Sequence, residues 1–109
     1  MIVDEWRGQA IYRSVDGTGG WTRQHYMDGL ILTAPETVDG GPVVGRHADV
    51  VPLAPSAEGK ERALIVYFTH PHWNGSDIDA MSPDPKTRLS HVRAAVLEVH
   101  NGNLVCTNV

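Results

Sequence analysis

The strongest structural signal in the sequence is the run from Arg62 to Thr69, which reads Arg-Ala-Leu-Ile-Val-Tyr-Phe-Thr. Its interior is continuously apolar and rich in residues that favour extended backbone. Runs of this kind are typical of strands that lie inside a sheet and are buried on both faces. We therefore predict a central β-strand at residues 62–69.

The segment from Thr87 to Val99 allows a helical interpretation. Its apolar side chains recur at the spacing of one helix face, at Leu89, Val92, Val96 and Val99. Gly102 would then form the C-terminal cap of the helix. This interpretation predicts a helix at residues 87–99 and an α+β fold.

A hairpin competes with this helix, because Asn101-Gly102 is a strong signal for a two-residue turn with left-handed backbone. Such a turn would pair Val99 with Leu104 and Leu97 with Cys106. Both pairs set apolar residues opposite one another on the same face of the ladder. We therefore favour the hairpin over the helix.

Turn signals recur along the whole chain, and short runs rich in β-formers lie between them. The signals are Asp16-Gly17, Gly19-Gly20, Asp28-Gly29, Asp39-Gly40-Gly41, Asn74-Gly75 and Asn101-Gly102. The first three runs, residues 9–15, 21–27 and 30–34, predict a three-stranded meander. The fold class that we predict is mainly β, as a small antiparallel barrel or sandwich of about seven short strands with at most one short helix.

The composition fits one globular domain that spans residues 1–109. Nine basic and thirteen acidic residues give a net charge of −4, which disfavours nucleic-acid binding. Cys106 is the only cysteine and therefore has no partner for an internal disulfide. The sequence shows neither a secretory signal pattern nor an apolar run of the ~20 residues that span a membrane. We expect a cytoplasmic protein with no membrane partner.

A candidate metal site follows the central strand. His70 and His72 are two residues apart, so in extended backbone their rings share a face, and imidazole is a common ligand of divalent transition metals. Asp77 and Asp79 are close enough in sequence to supply oxygen ligands. His91 would join them if residues 62–70 pair antiparallel with the strand that starts near His91.

The register that we predict for this pairing sets Val66 opposite Ala95 and Leu64 opposite Leu97. It leaves a connection of residues 71–90, and loops of that length are often functional.

Two further positions indicate a binding surface. Trp21 and His25 fall on the same face of a predicted strand that is apolar on neither side, which is typical of a strand at an edge or beside a cavity. Trp73 lies in a polar loop, and exposed tryptophans are frequent at binding hot spots. We predict ligand or partner binding through Trp21, His25 and Trp73.

Three functions are consistent with these features. We favour a non-catalytic binding domain for a protein partner or a small molecule, with no cofactor and with homodimerisation through an open sheet edge. The first alternative is a metal-dependent enzyme that uses His70, His72 and His91. The second is a metal-free enzyme or carrier with a small-molecule cavity inside the β-structure.

Overall fold

The computed structural model describes residues 1–33, 37–38, 41–42, 44–72 and 85–107, with the backbone alone at 37–38, 41–42 and 87–88. Ten strand segments in these ranges form two four-stranded antiparallel sheets and a two-stranded ladder. Within the same ranges, no helix is long and apolar enough to cross a membrane.

The first sheet is built around strand β2 and contains β1 (Ile2–Asp4), β2 (Gln9–Arg13), β3 (Thr22–Arg23) and β4 (Leu30–Ile31). β1 pairs with β2, and β3 pairs with β2 through Tyr12 and Arg23. β4 also pairs with β2, through Gln9 and Ala10. The predicted meander is therefore wrong in two places: the strand predicted at residues 21–27 contains only Thr22 and Arg23, and the third strand returns to β2 and does not pair with β3.

The cause of this difference is a 3-10 turn at Tyr26–Gly29. Met27 and Asp28 have positive φ angles of 54° and 56° in this turn. Asp28-Gly29 therefore belongs to a longer reversal of the chain and not to a two-residue hairpin loop, so β4 meets β2 again.

A two-stranded ladder lies between the two sheets in the order of the chain. β5 (Thr37–Val38) pairs with β6 (Gly41–Pro42), and a second 3-10 turn spans Pro85–Arg88. These segments add only two-residue strands and single turns to the fold, as expected where glycine and proline are frequent.

The second sheet contains β7 (Arg46–Leu53), β8 (Arg62–Thr69), β9 (His91–His100) and β10 (Asn103–Thr107), in the order β10-β9-β8-β7. β8 lies inside this sheet, as its apolar sequence predicts. The hairpin is confirmed, because Leu104 pairs with Val99 and Cys106 with Leu97. Residues 91–100 are a strand, so the helix proposed for residues 87–99 does not form.

The register between β8 and β9 differs by one residue from the predicted one. Leu64 lies opposite Val96, and Val66 lies opposite Ala94. A shift of one residue sends every side chain of a strand to the other face of the sheet. The observed register pairs Ile65 with Ala95, and both are buried on the same face.

The hydrophobic core lies between the two sheets and draws side chains from both of them. Its members are Ile11, Ile31, Leu32, Ile65, Tyr67, Ala95 and Leu97. Full burial of an isoleucine or leucine side chain stabilises the fold by about 1.5–3 kcal/mol. The fold is mainly β, with two antiparallel sheets in a sandwich-like arrangement, as predicted.

Candidate functional site

An open groove of about 540 Å³ lies where the first sheet approaches strand β10. It is lined by Met1, by residues 11–14 and 21–25, and by residues 99 and 102–104 of the β9–β10 hairpin. Trp21 and His25 both belong to this lining and both are exposed. The structure thus brings together two of the three residues that the sequence assigns to ligand or partner binding. We call this site the Trp21/His25 groove.

The floor of the groove is held by the side chain of Gln24. Its Nε2 donates to the carbonyl oxygen of Leu104 at 3.1 Å, and its Oε1 accepts from the Leu104 backbone N–H at 2.8 Å. A side-chain amide therefore occupies the place that a neighbouring strand would take beside β10. Arg13 adds a second link, because its Nη2 donates to the carbonyl oxygen of Gly102.

Arg23 is fixed within the wall by a fork of hydrogen bonds. Its two terminal nitrogens bind the carboxylate of Glu5, one of them also contacts the Tyr12 hydroxyl at 3.2 Å, and its Nε donates to the Asp28 carbonyl oxygen at 3.1 Å. Hydrogen bonding to Arg23 holds the pKa of Glu5 below its ordinary value. Arg23 therefore acts as a structural element that keeps the wall in place.

The groove has the opposite charge bias to the chain as a whole. Its lining contains Arg13, Arg23 and His25, whereas no carboxylate belongs to its described lining. The complete chain carries a net charge of −4. Because Arg23 is already paired with Glu5, Arg13 is the cation of the lining that would attract an anion, and the exposed indole of Trp21 adds a flat apolar surface.

A second cluster lies at the rim where β8 ends, around His70. Arg46 Nη1 is 2.8 Å from His70 Nδ1, and Ser90 Oγ is 3.4 Å from His70 Nε2. Burial, followed by the charges of Arg46 and His47, lowers the pKa of His70. A guanidinium can only donate, so Nδ1 is the acceptor and the ring proton of neutral His70 sits on Nε2, directed at Ser90. In this tautomer His70 cannot act as a base toward Ser90.

The predicted metal ligands are placed only partly together. Thr69 pairs with His91, so the ends of β8 and β9 meet at one rim, as the antiparallel pairing requires. The one-residue shift of register nevertheless places His91 on the face of Thr69, while His70 lies with Phe68 on the other face. Over the described ranges, which include all three histidines, no group of three or more His, Cys, Asp or Glu side chains could hold a metal ion. Asp77 and Asp79 lie outside the described residues, as does Trp73. Metal binding stays a prediction.

Sequence reasoning missed Arg46, which is fully buried at the rim. Its guanidinium lies 4.6 Å from the centre of the Trp6 ring, and its Nε donates to the Trp6 carbonyl oxygen at 2.8 Å. A β-bulge after Arg46 shifts the pairing of β7 with β8, and His47 has a φ of 45° there. Gly45 is the one local signal of this bulge, since an isolated glycine in a strand pattern often marks a bulge or a close approach, and a Cβ there would lie within 3 Å of Leu32 and Tyr67.

The bulge also builds a row of rings on the surface. His47 stacks on Phe68 with ring centres 5.1 Å apart, Trp6 meets His47 edge-on at 5.9 Å, and His70 meets Phe68 edge-on at 5.6 Å. These contacts use the ring faces for packing within the molecule. The row therefore supports the rim, and the Trp21/His25 groove is the stronger candidate site.

Comparison with known proteins does not add a family to this description. No protein-family model matches the chain, and no curated protein matches it.

Proposed function

We propose that this chain is a non-catalytic binding domain whose ligand site is the Trp21/His25 groove. The observation that carries the proposal is the pairing of an exposed indole with basic side chains in one groove whose floor is held by Gln24. Its volume of about 540 Å³ lies in the range of small-molecule sites. Rigid walls of this kind lower the cost of ordering the site when a ligand binds.

The ligand that fits this lining is a small organic anion with a planar ring. The exposed guanidinium of Arg13 and the imidazole of His25 favour a carboxylate or phosphate group. Trp21, which is 39% exposed, offers its ring face to an aromatic or sugar ring. A neutral ligand of the same shape would lose the charge-assisted hydrogen bonds and bind more weakly.

The test is a titration followed by the indole N–H signals in protein NMR, with phenyl phosphate and benzoate as probes and benzyl alcohol as the neutral comparison. We expect both anions to shift the Trp21 signal in a saturable way, with benzyl alcohol at least tenfold weaker. Arg13→Gln should weaken binding of the anions about tenfold, which corresponds to ~1.4 kcal/mol.

Lys60→Gln is the matched control, since it removes one exposed positive charge at a residue that does not line the groove. It should leave the affinity unchanged. Equal binding of charged and neutral probes, or no shift of Trp21, would contradict the proposed ligand class. Chemical conversion of a bound probe would instead favour the metal-free enzyme.

The second candidate is a metal-dependent enzyme at the rim, where the ends of β8 and β9 meet. The observed register weighs against it, because His91 shares the face of Thr69 whereas His70 packs on the face of Phe68. Native mass spectrometry after addition of Zn²⁺ tests this candidate. One stoichiometric zinc ion that is lost in His72→Ala would support it. A wild-type chain that takes up no zinc would exclude the zinc site.

Self-association, which the sequence also predicts, does not need the groove. The observations that support it best concern the face of the second sheet that points away from the core.

A further inference from the structure

The side of the second sheet that faces away from the core is mostly apolar, although six polar residues also point outward: Asp49, Arg62, Glu98, His100, Asn103 and Thr107. Side chains alternate along a strand, so with Ile65 and Tyr67 in the core, their neighbours in β8 point outward. The same alternation in the paired strands defines what we call the outer face. Its apolar members are Val51, Leu53, Leu64, Val66, Phe68, Val92, Ala94, Val96 and Val105.

This composition is unusual for a sheet face in contact with water. Antiparallel sheets with one covered face normally place polar residues on the other. Here Val92 is 77% exposed and Val51 is 50% exposed, and Leu64, Val66 and Phe68 are half-buried. Contiguous apolar surface of this kind marks an interaction site.

We propose that two copies of this chain associate through their outer faces, about a two-fold axis that runs along the boundary between β8 and β9. The strand order β10-β9-β8-β7 places this boundary at the centre line of the sheet. An interface between identical copies must be complementary to itself, so residues related across the axis have to fit one another. The register of β8 and β9 meets that requirement.

The apolar pairs across the centre line combine a larger with a smaller side chain. Leu64 is the cross-strand partner of Val96, and Val66 is the partner of Ala94. An axis along the centre line stacks β8 of one copy on β9 of the other. Val66 of each copy then meets Ala94 of the second copy, and Leu64 meets Val96, so the larger side chain opposes the smaller one at both positions.

The charges at one end of the boundary between β8 and β9 are complementary across the same axis. Arg62 is the cross-strand partner of Glu98. The same axis sets Arg62 of each copy opposite Glu98 of the second copy, which gives two attractive pairs per dimer. Within one copy Arg62 also donates to the Ala54 carbonyl oxygen and Glu98 contacts His100, and both contacts leave further donor or acceptor capacity.

The size of the face is at the low end of the range for specific interfaces. Four strands at ~4.8 Å spacing and about eight residues at ~3.3 Å give roughly 500 Å² per copy, or ~1,000 Å² in total. Specific interfaces begin near ~1,000 Å², and weak, transient ones lie below ~1,200 Å². We therefore expect a reversible dimer that dissociates in the micromolar range.

Sedimentation velocity of the full chain over a concentration series tests the dimer itself. The wild type should shift from monomer to dimer as its concentration rises. Val92→Glu should weaken dimerisation at least tenfold and still fold, since this side chain is 77% exposed in one copy. Val15→Glu is the matched control, because Val15 is fully exposed outside the outer face, and it should dimerise like the wild type.

Mixing two charge variants tests the position of the axis. Arg62→Glu alone and Glu98→Arg alone each set like charges opposite one another and should remain monomeric. A 1:1 mixture should form heterodimers, because every charge then meets its opposite in the other copy, although the pair within each chain stays mismatched.

Circular dichroism would first establish that both variants are folded. A wild type that is monomeric at all concentrations would overturn the proposal. So would a mixture that remains monomeric under conditions where the wild type dimerises, or a Val92→Glu variant that dimerises normally.

Discussion

Arg46 is the residue on which the rim depends, although its charge is hidden from solvent. Its burial lowers the pKa of the guanidinium, and the nearby carboxylate of Asp4 opposes that effect. The same carboxylate accepts hydrogen bonds from the backbone N–H groups of Trp6 and His47, which both have positive φ. Strained backbone of this kind persists where its surroundings hold it in place. Asp4 therefore links the cation, the bulge and the ring row.

His70 should make stability depend on pH. Burial and the charge of Arg46 hold its pKa below the ordinary 6.5, so the unfolded chain binds a proton first as the pH falls. The stabilisation that comes from a neutral, buried His70 is complete above pH 6.5. It is lost as the pH falls through the lower pKa of the folded state. His70→Asn, which keeps an acceptor for Arg46, should reduce this loss in urea melts between pH 7.5 and 5. His72→Asn, at an exposed position, should leave this loss of stability unchanged. If the free energy of unfolding depended on pH equally in both variants, the assignment of the effect to His70 would be contradicted.

Removal of the His70 acceptor should also cost stability at neutral pH. Arg46 is fully buried and loses one hydrogen-bond acceptor in His70→Ala. Loss of a hydrogen bond to a buried group costs about 1–3 kcal/mol. The free energy of unfolding should therefore fall by that amount at pH 7.5, and should fall less in His70→Asn. A full loss in both variants would show that ring packing against Phe68 dominates.

At the scale of strands, the predictions that succeeded rest on local signals. The apolar run of residues 62–69 identifies β8, and Asn101-Gly102, with φ angles of 51° and 78°, forms the predicted hairpin turn. The return of β4 to β2 was not predictable, because it depends on backbone at Met27 that no residue type marks. The one-residue shift between β8 and β9 has no local signal either, since each register pairs apolar residues.

The candidate site residues also include some that the sequence predicts and some that it does not. Trp21 and His25 both line the groove, but strand alternation does not explain this, because β3 contains only Thr22 and Arg23 and the lining takes in every residue from 21 to 25. Arg46 and His70 meet only because a bulge in β7 turns one strand toward the end of another. Contacts of that kind depend on the pairing of distant segments, which a single sequence does not specify.

Gln24 should protect the edge of β10 from solvent. The two hydrogen bonds to Leu104 contribute about 0.5–1.5 kcal/mol each. Gln24→Ala should lower the free energy of unfolding by about 1–3 kcal/mol and accelerate hydrogen exchange at the Leu104 amide. Gln24→Glu keeps only the acceptor, so its free energy of unfolding should lie between those of the wild type and Gln24→Ala. Unchanged exchange at Leu104 in Gln24→Ala would show that the side chain does not pair with the strand.

At the scale of the molecule, the two sheets share one core, so they should unfold together. Ile65 is fully buried and packs among residues of both sheets. Ile65→Ala should cost about 2–5 kcal/mol, the range for truncating a buried aliphatic side chain. The loss should appear equally in far-ultraviolet circular dichroism, which reports the strands of both sheets, and in the fluorescence of Trp21, which adjoins β3 of the first sheet, measured in a Trp6→Phe/Trp73→Phe background. Val15→Ala, at a fully exposed position, should change stability by less than ~0.5 kcal/mol. Two separate transitions would mean that the sheets fold independently, and the groove between the first sheet and β10 would then open before the molecule as a whole unfolds.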